Sequence, residues 1–350
     1  MVASVISNVI ISGITCVVPS REVCLSNNRL FNCDQKKLQK TIKISGFKNR
    51  RIVDEHICTS DLCYFAAEKL INQLKIERSK IDALIFVSQT PDYLMPATSF
   101  ILQKRLNLGS NIAVMDINHG CSGYIYGLWL ASSIINSGCK NVLLLVGDTV
   151  SKFKDMFRED QVPIFGDAGS ATLITYTSDA SKKVYFDIGS DGRFYDAIIS
   201  KNGGFRNPPS PCLFYKNNDF MYESEMDGMQ IMEFALNKVP ISIENCLITA
   251  NVDKSSIYNF ILHQANKLIL QNIAMCLKIP LEKVPVETLS KYGNQSSASI
   301  PATICDQLSD EVKNNSHEYV LSGFGIGLSW ATCVITLDHL LCASIFTYED

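Results

Sequence analysis

Along this chain, short apolar runs alternate with stretches whose apolar positions recur at helical spacing. Val2–Cys16 begins as an alternating strand, and a polar segment to Lys48 follows, with helical character around Leu30–Gln39. In Ser60–Lys75, residues Leu62, Phe65, Ala66, Lys69 and Leu70 fall on one helical face, and Ser60 is the predicted cap. Ile81–Ser88 reads as a strand, and Pro96–Leu106 as a helix that starts behind a proline. Asn141–Gly147 is a continuous apolar run of the kind covered on both faces, and Phe165–Thr177 is a glycine-bearing turn followed by a strand. Ser190 to Glu223 is rich in Gly, Pro and Asn, with Pro208-Pro209-Ser210-Pro211 at its centre. This predicts a loop insertion at about 190–223 whose aromatics (Phe205, Phe214, Tyr215, Phe220) pack on the body.

The second half repeats the plan of the first. Ser256–Leu262 reads as a strand followed by a helix ending at Cys276-Leu277-Lys278-Ile279, as Ile81–Ser88 is followed by one ending at Arg105-Leu106-Asn107-Leu108. Val284–Leu289 stands where the first half has the strand before Cys121, and Glu318–Ser322 leads through Gly323–Gly327 into the strand Leu328–Leu337. An offset of roughly 170 residues predicts two α/β halves, 1–178 and 179–350, sharing one layered core.

Such a duplication predicts which residues meet. The run Ala113–Leu128 is a strand, a tight turn and a helix rich in Gly, Ala and Ser, with Cys121 at the turn. A thiol at a helix N-terminus is expected to ionise below the ordinary thiol range and act as a nucleophile; the alternative is an inert buried thiol. His263 follows the strand Ser256–Leu262, and Asn294 follows the strand predicted at Val284–Leu289. In α/β folds such strand ends gather at one sheet edge, so thiol, imidazole and amide should converge.

Composition narrows the function classes. With 350 residues, 47% of them hydrophobic, and a net charge of -3, the chain can bury a large core but carries no basic block for nucleic acid. No apolar stretch reaches the roughly 18 residues of a membrane span, so no membrane insertion is expected. Thirteen cysteines without a secretion signal point to reduced thiols and the cytoplasm, and their spacings lack the paired geometry of a zinc site, so no metal is predicted.

Four stretches carry a resemblance. Asp116–Gly123, His263-Gln264-Ala265-Asn266, Tyr292-Gly293-Asn294-Gln295-Ser296-Ser297-Ala298-Ser299-Ile300-Pro301 and Gly323-Phe324-Gly325-Ile326-Gly327-Leu328-Ser329-Trp330 resemble, in order and spacing, the β-ketoacyl-acyl-carrier-protein synthase III family. The resemblance implies a thiolase-like α/β fold, with duplicated βαβαβαββ halves forming a layered α-β-α-β-α core. It also implies a homodimer without cofactor, taking acyl-coenzyme A or an acyl-carrier-protein thioester together with malonyl-carrier protein. Cys121 would take the acyl group, and His263 and Asn294 would hold the enolate formed by decarboxylation. An imidazole N–H and an amide N–H₂ supply two donors to a developing oxyanion without net charge. Backbone N–H groups of Cys121, Ile326 and Gly327 are the candidates for a second oxyanion site; a simple turn at Gly323–Gly327 is the alternative.

Other carry-overs follow from the same resemblance. Gly166–Ala171 matches a turn read as structural, and Met95 falls where the family donates a residue, often phenylalanine, into the partner's acyl pocket. Asn266, Lys267 and Arg158 are the candidates for carrier or coenzyme A binding. The family's coenzyme-A segment Trp-x-x-x-Arg-Thr-Gly reads Lys40-Thr41-Ile42-Lys43-Ile44-Ser45-Gly46 here, and Leu268 stands where a basic residue usually receives the carrier. These departures favour a carrier-protein thioester or an unusual primer over acetyl-coenzyme A. His119, two residues before Cys121, is open between turn packing and tuning of the thiol. An acyltransferase of the same fold, passing the acyl group from Cys121 to an alcohol or amine, is the alternative activity.

Overall fold

Asn8, with φ at 64°, divides the alternating N-terminal run into two strands, β1 (Val2–Ser7) and β2 (Val9–Val18), that belong to different sheets. The computed structural model describes residues 2–27, 35–153, 164–208, 215–216, 219–220 and 224–349. Further strands are β3 (Ala83–Val87), β4 (Ala113–Ile117), β5 (Asn141–Asp148), β6 (Ala168–Tyr176), β7 (Lys183–Ser190), β8 (Asn259–Leu262), β9 (Ser316–Gly325), β10 (Ser329–Asp338) and β11 (Cys342–Thr347). One sheet runs β11-β2-β6-β5-β3-β4 and the other β1-β7-β10-β9-β8. Within them, β2-β6-β5-β3 and β7-β10-β9-β8 share one sequence of pairings: two antiparallel, then one parallel. The terminal strands cross over, β1 joining the second sheet and β11 the first.

Helices fill three layers. α1 (Gln35–Ser45) precedes α2 (Thr59–Leu74) and α3 (Thr98–Arg105), and these last two bury Leu62, Ala66, Leu70 and Leu102 on the outer face of the first sheet. Between the sheets lie α4 (Gly123–Asn136) and, later in the chain, a helix at Ser299–Gln307. Side chains there must be small enough to pass between two β-surfaces; Gly127 sits against Leu144, and Ala131, Ala302 and Ser299 are fully buried. α5 (Gly228–Ala250) and α6 (Lys267–Leu277) cover the outer face of the second sheet. The order is therefore α-β-α-β-α.

Three local expectations change. Cys58, not Ser60, is the cap of α2; its N–H donates to Asp61 Oδ2 at 2.7 Å, while Ser60 lies inside the helix. No strand forms at Val284–Leu289: residues 284–286 are irregular and α7 (Glu287–Tyr292) takes the rest; Pro285, lacking an N–H, cannot extend a ladder beside β8, which stays an edge. The helix between the sheets, Ser299–Gln307, is then α8. Phe205 is 82% exposed rather than packed. Tyr215 pairs with Phe220 in a short hairpin, whereas Pro209, Ser210, Pro211, Phe214 and Arg158 lie outside the described residues.

Gly169 of β6 sets a close helix–sheet approach. A Cβ there would stand 2.6 Å from Cys63 N and 2.7 Å from the Leu62 carbonyl carbon, so the backbone of α2 rests on the strand itself. Overpacking of this kind typically costs about 1–3 kcal/mol. Gly169→Ala should therefore lower the urea midpoint without changing the slope, and an unchanged midpoint would show that α2 has room to shift.

Candidate active site

Cys121 leaves β4 through the turn Asn118–Gly120, whose carbonyl at Gly120 accepts from Gly123 N–H at 2.7 Å as α4 begins. The other half reaches it through the end of β9. A Cβ on Gly325 would lie 2.8 Å from Cys121 Cβ and 2.9 Å from its Sγ, and φ there is +156°, so only glycine lets this strand back the thiol. Backbone groups of Ile326 and of Cys121 itself and the Ser296 side chain lie near enough to the thiol to draw its pKa down.

The thiol does not ionise as the helix terminus alone predicts. Cys121 is half-buried; desolvation of its thiol, reinforced by the nearby Asp148 carboxyl, pushes it up to about 11 against the pull of those groups. A rise from 9.0 corresponds to roughly 3 kcal/mol, which exceeds the typical helix-terminus contribution of about 0.3–1. Desolvation wins, and the resting group is a thiol.

His263 continues the β8–β9 pairing, its N–H donating to the Ser322 carbonyl at 2.8 Å. It is 2% exposed, Phe324 meets its ring edge-on, and its Nδ1 lies 2.8 Å from Ser299 Oγ. Ser299 Oγ already accepts from Gln264 N–H, so its own hydrogen is directed at Nδ1 and the ring proton is assigned to Nε2. Burial pushes His263 down to about 3, opposed by a hydrogen bond to the Ser296 backbone. The imidazole is neutral and a donor.

Asn294 follows α7 and is fixed on both sides: its N–H donates to the Ile164 carbonyl at 2.9 Å, and its carbonyl accepts from Gly166 N–H at 3.0 Å. Its Oδ1 accepts from Ser296 N–H at 3.0 Å, which leaves the amide nitrogen as the end able to donate to a ligand. Ser296 thus bears on all three residues: its N–H donates to the Asn294 side chain, and it contributes to the electrostatic setting of both the thiol and the imidazole. It is 4% exposed and holds φ at 48°, a left-handed conformation uncommon outside glycine.

The remaining candidates separate. Gly327 lines a cavity of about 320 Å³ together with Gln89, Asn118, His119 and Ile326. His119 stacks on Tyr126 at 4.2 Å, its Nδ1 lies 3.2 Å from Ser122 Oγ, and burial lowers its pKa; it packs the turn. Asn266 caps α6, its Oδ1 accepting from Ile269 N–H at 2.9 Å. Lys267 lines a second cavity, of about 280 Å³, with Lys43, Lys48 and Glu287. Met95 is 75% exposed beside Tyr93 and Leu94. Asp167, in the Gly166–Ala171 turn, accepts from Val53 N–H and Ser151 N–H and ties the turn down. Sequence reasoning missed Ser296 and Asp148 as site residues; the serine lay inside a recognised motif, but only the fold supplies its contacts.

Comparison with known proteins gives one answer. The model of the 3-oxoacyl-[acyl-carrier-protein] synthase III family matches residues 115–192, and that of its C-terminal region matches residues 247–337. A β-ketoacyl-[acyl-carrier-protein] synthase III of Sulfurimonas denitrificans is 32% identical over 327 residues, covering 92% of this chain and 96% of that protein. A solved 3-oxoacyl-(acyl-carrier protein) synthase from Burkholderia xenovorans is 36% identical and superposes with a TM-score of 0.91 over 99% of both chains. OleA of Xanthomonas campestris, 18% identical with a TM-score of 0.77, shares the fold.

The pKa of His263 makes a stability prediction. A histidine held near 3 when folded but near 6.5 when unfolded binds its proton preferentially in the unfolded chain, so it destabilises the fold as pH falls below about 6.5. The stability difference between parent and His263→Asn should shift in favour of the variant by about 1.4 kcal/mol per pH unit from pH 6 to 4. Urea titrations at several pH values measure it, and a constant difference would mean that His263 titrates normally.

Proposed function

The chain belongs to the 3-oxoacyl-[acyl-carrier-protein] synthase III family of thiolase-fold condensing enzymes, and from that premise we propose how its own residues divide the reaction. These enzymes are acyltransferases that use acyl carrier protein as a substrate partner. In our reading the Cys121 sulfur attacks an acyl thioester, and the oxyanion is received by backbone N–H groups of Cys121 and of the Ile326–Gly327 turn. The carrier thiol leaves. A malonyl-carrier thioester then loses CO₂, and its enolate oxygen is held by the His263 N–H and the Asn294 amide. The enolate carbon attacks the acyl-cysteine carbonyl, and the β-ketoacyl thioester departs as the thiol is restored. The observation that carries this is the orientation of two neutral donors: His263 turns Nδ1 to Ser299 Oγ and Asn294 has its Oδ1 taken by Ser296 N–H, so each presents its N–H end to a ligand. Neutral donors suit a step whose charge appears only in the transition state, because they are aligned beforehand and lose nothing to water. The scheme requires no cofactor and no metal.

Several finer assignments belong to the same proposal. We assign Lys267, with Lys43 and Lys48, to the carrier arm, since their cavity lies beside α6, two residues after Ala265 of the histidine motif. Asn266 supports that helix start by its cap. We propose a homodimer through β4, an edge strand of its sheet, beside the exposed side chains of Tyr93, Leu94, Met95 and Phe100. Met95 would then reach the partner's acyl pocket. The described cysteines are free thiols, which fits a reducing cytoplasm.

The test is intact mass after incubation with a panel of acyl-coenzyme A and acyl-carrier thioesters, then malonyl-carrier protein. Cys121 should gain an acyl mass that leaves as a β-ketoacyl product with release of CO₂. His263→Ala and Asn294→Ala should still acylate but condense about a hundredfold more slowly or worse. Acylation that malonyl thioester cannot discharge would replace condensation by transfer to another acceptor. A sedimentation mass of one chain would remove the dimer.

A further inference from the structure

The cavity of about 320 Å³ that Gly327 lines lies beside the thiol: its wall includes Gly120, the residue before Cys121, and Ile326, the residue after the Gly325 that backs Sγ. That volume is at the low end of small-molecule pockets, about 300–1,000 Å³, and suits a short acyl group. Pockets of this size are mostly apolar. Here, among the described residues, Ile326 and Leu328 are the only apolar side chains in the wall, whereas Gln89, Asn118, His119 and Ser190 are polar, and no acidic or basic group apart from His119 lines it. The Gln89 carboxamide rests against Gly120, where a Cβ would stand 2.3 Å from its Oε1.

The hydrogen bonds around His119 fix what its ring offers. Ser329 Oγ is 2.8 Å from the Ile326 carbonyl, which can only accept, so the single hydrogen of Ser329 is given there. Ser122 Oγ, 2.7 Å from Ser329 Oγ, then donates to it, and His119 Nδ1, 3.2 Å from Ser122 Oγ, donates to Ser122. Burial holds the His119 pKa below the ordinary histidine value, so the ring is neutral with its proton assigned to Nδ1. Nε2 is left an acceptor. Among the described residues nothing donates to it, and the side-chain amides of Gln89 and Asn118 have no protein partner either.

We infer that the acyl group loaded on Cys121 is short and carries a hydroxyl, which this cavity receives. This rests on the reading that Cys121 takes the acyl group. The hydroxyl donates to His119 Nε2 and accepts from the Gln89 amide, with Asn118 at the exposed rim. A plain alkyl chain would cover these groups and leave them unpaired, which costs more than the hydrogen bonds themselves are worth. A carboxylate would face the Nε2 lone pair with no cation beside it, and an ammonium would find no carboxylate in the wall. A neutral hydroxyl meets both needs.

The test is a competition. Butyryl-coenzyme A is mixed in equal amount with its 3-hydroxy or its 4-hydroxy analogue, the same pairs are presented on carrier protein, and adducts on the Cys121 peptide are read by mass. One hydroxylated primer should outrun butyryl at least about tenfold, because a site built to bond a hydroxyl rejects the analogue lacking it. His119→Phe keeps a ring against Tyr126 but removes the acceptor, and Gln89→Leu removes the amide; each should lower that ratio about tenfold. Butyryl equal to or ahead of both hydroxylated primers overturns the inference, as does an unchanged ratio in both variants. Should His119→Phe fail to fold, the parent ratio and Gln89→Leu decide. A second pair of reagents, N-ethyliodoacetamide and N-(2-hydroxyethyl)iodoacetamide, alkylates the thiol without any acyl transfer. Normalised to their rates with N-acetylcysteine, Cys121 should favour the hydroxyethyl reagent, and His119→Phe should lose the preference. If no thioester loads the parent, the proposed function fails, while this alkylation ratio still judges the cavity and an absent preference overturns it.

Discussion

Desolvation is the constraint on which the site depends. Two sheets enclose α4 and α8; just before those helices Ser296–Ala298 are buried and Cys121 is half-buried. In such a place each hydrogen bond is stronger than in water and each unpaired charge is costly. The groups respond by staying neutral: thiol, imidazole and amide all face the site uncharged. A condensing reaction whose intermediates are an oxyanion and an enolate then finds donors already aligned, with no competing charge to screen.

The same constraint explains the crowding of small residues. Gly325 lets β9 close on the thiol, Ser299 orients the imidazole, and Ser296 fixes the Asn294 amide by its N–H. Each of these positions is small because a larger side chain would separate groups that must touch.

Much of this architecture was legible in the sequence. The continuous apolar run at Asn141–Gly147 predicted a strand covered on both faces, and the echo between the halves matches the shared pairing order of the two sheets. What escaped was decided by tertiary context. Nothing local shows that Asn8 sends two consecutive strands to different sheets. Val284–Leu289 has a strand's apolar residues but also Pro285, and it forms no strand; its last three residues join α7. The direction of the Cys121 shift was misjudged because helix position is visible in a sequence and depth of burial is not. Asp148 stands 149 residues from Ser297, so its network exists only in the fold.

The central claim, that burial outweighs the helix terminus and keeps the nucleophile a thiol, can be measured directly. Thiolate absorbance near 240 nm, followed against pH for the parent with Cys121→Ala subtracted, isolates this one cysteine. The account predicts that the difference signal appears only toward pH 11. A thiolate already formed below pH 8 would show that the helix terminus prevails, and the dry, uncharged site described here would be wrong.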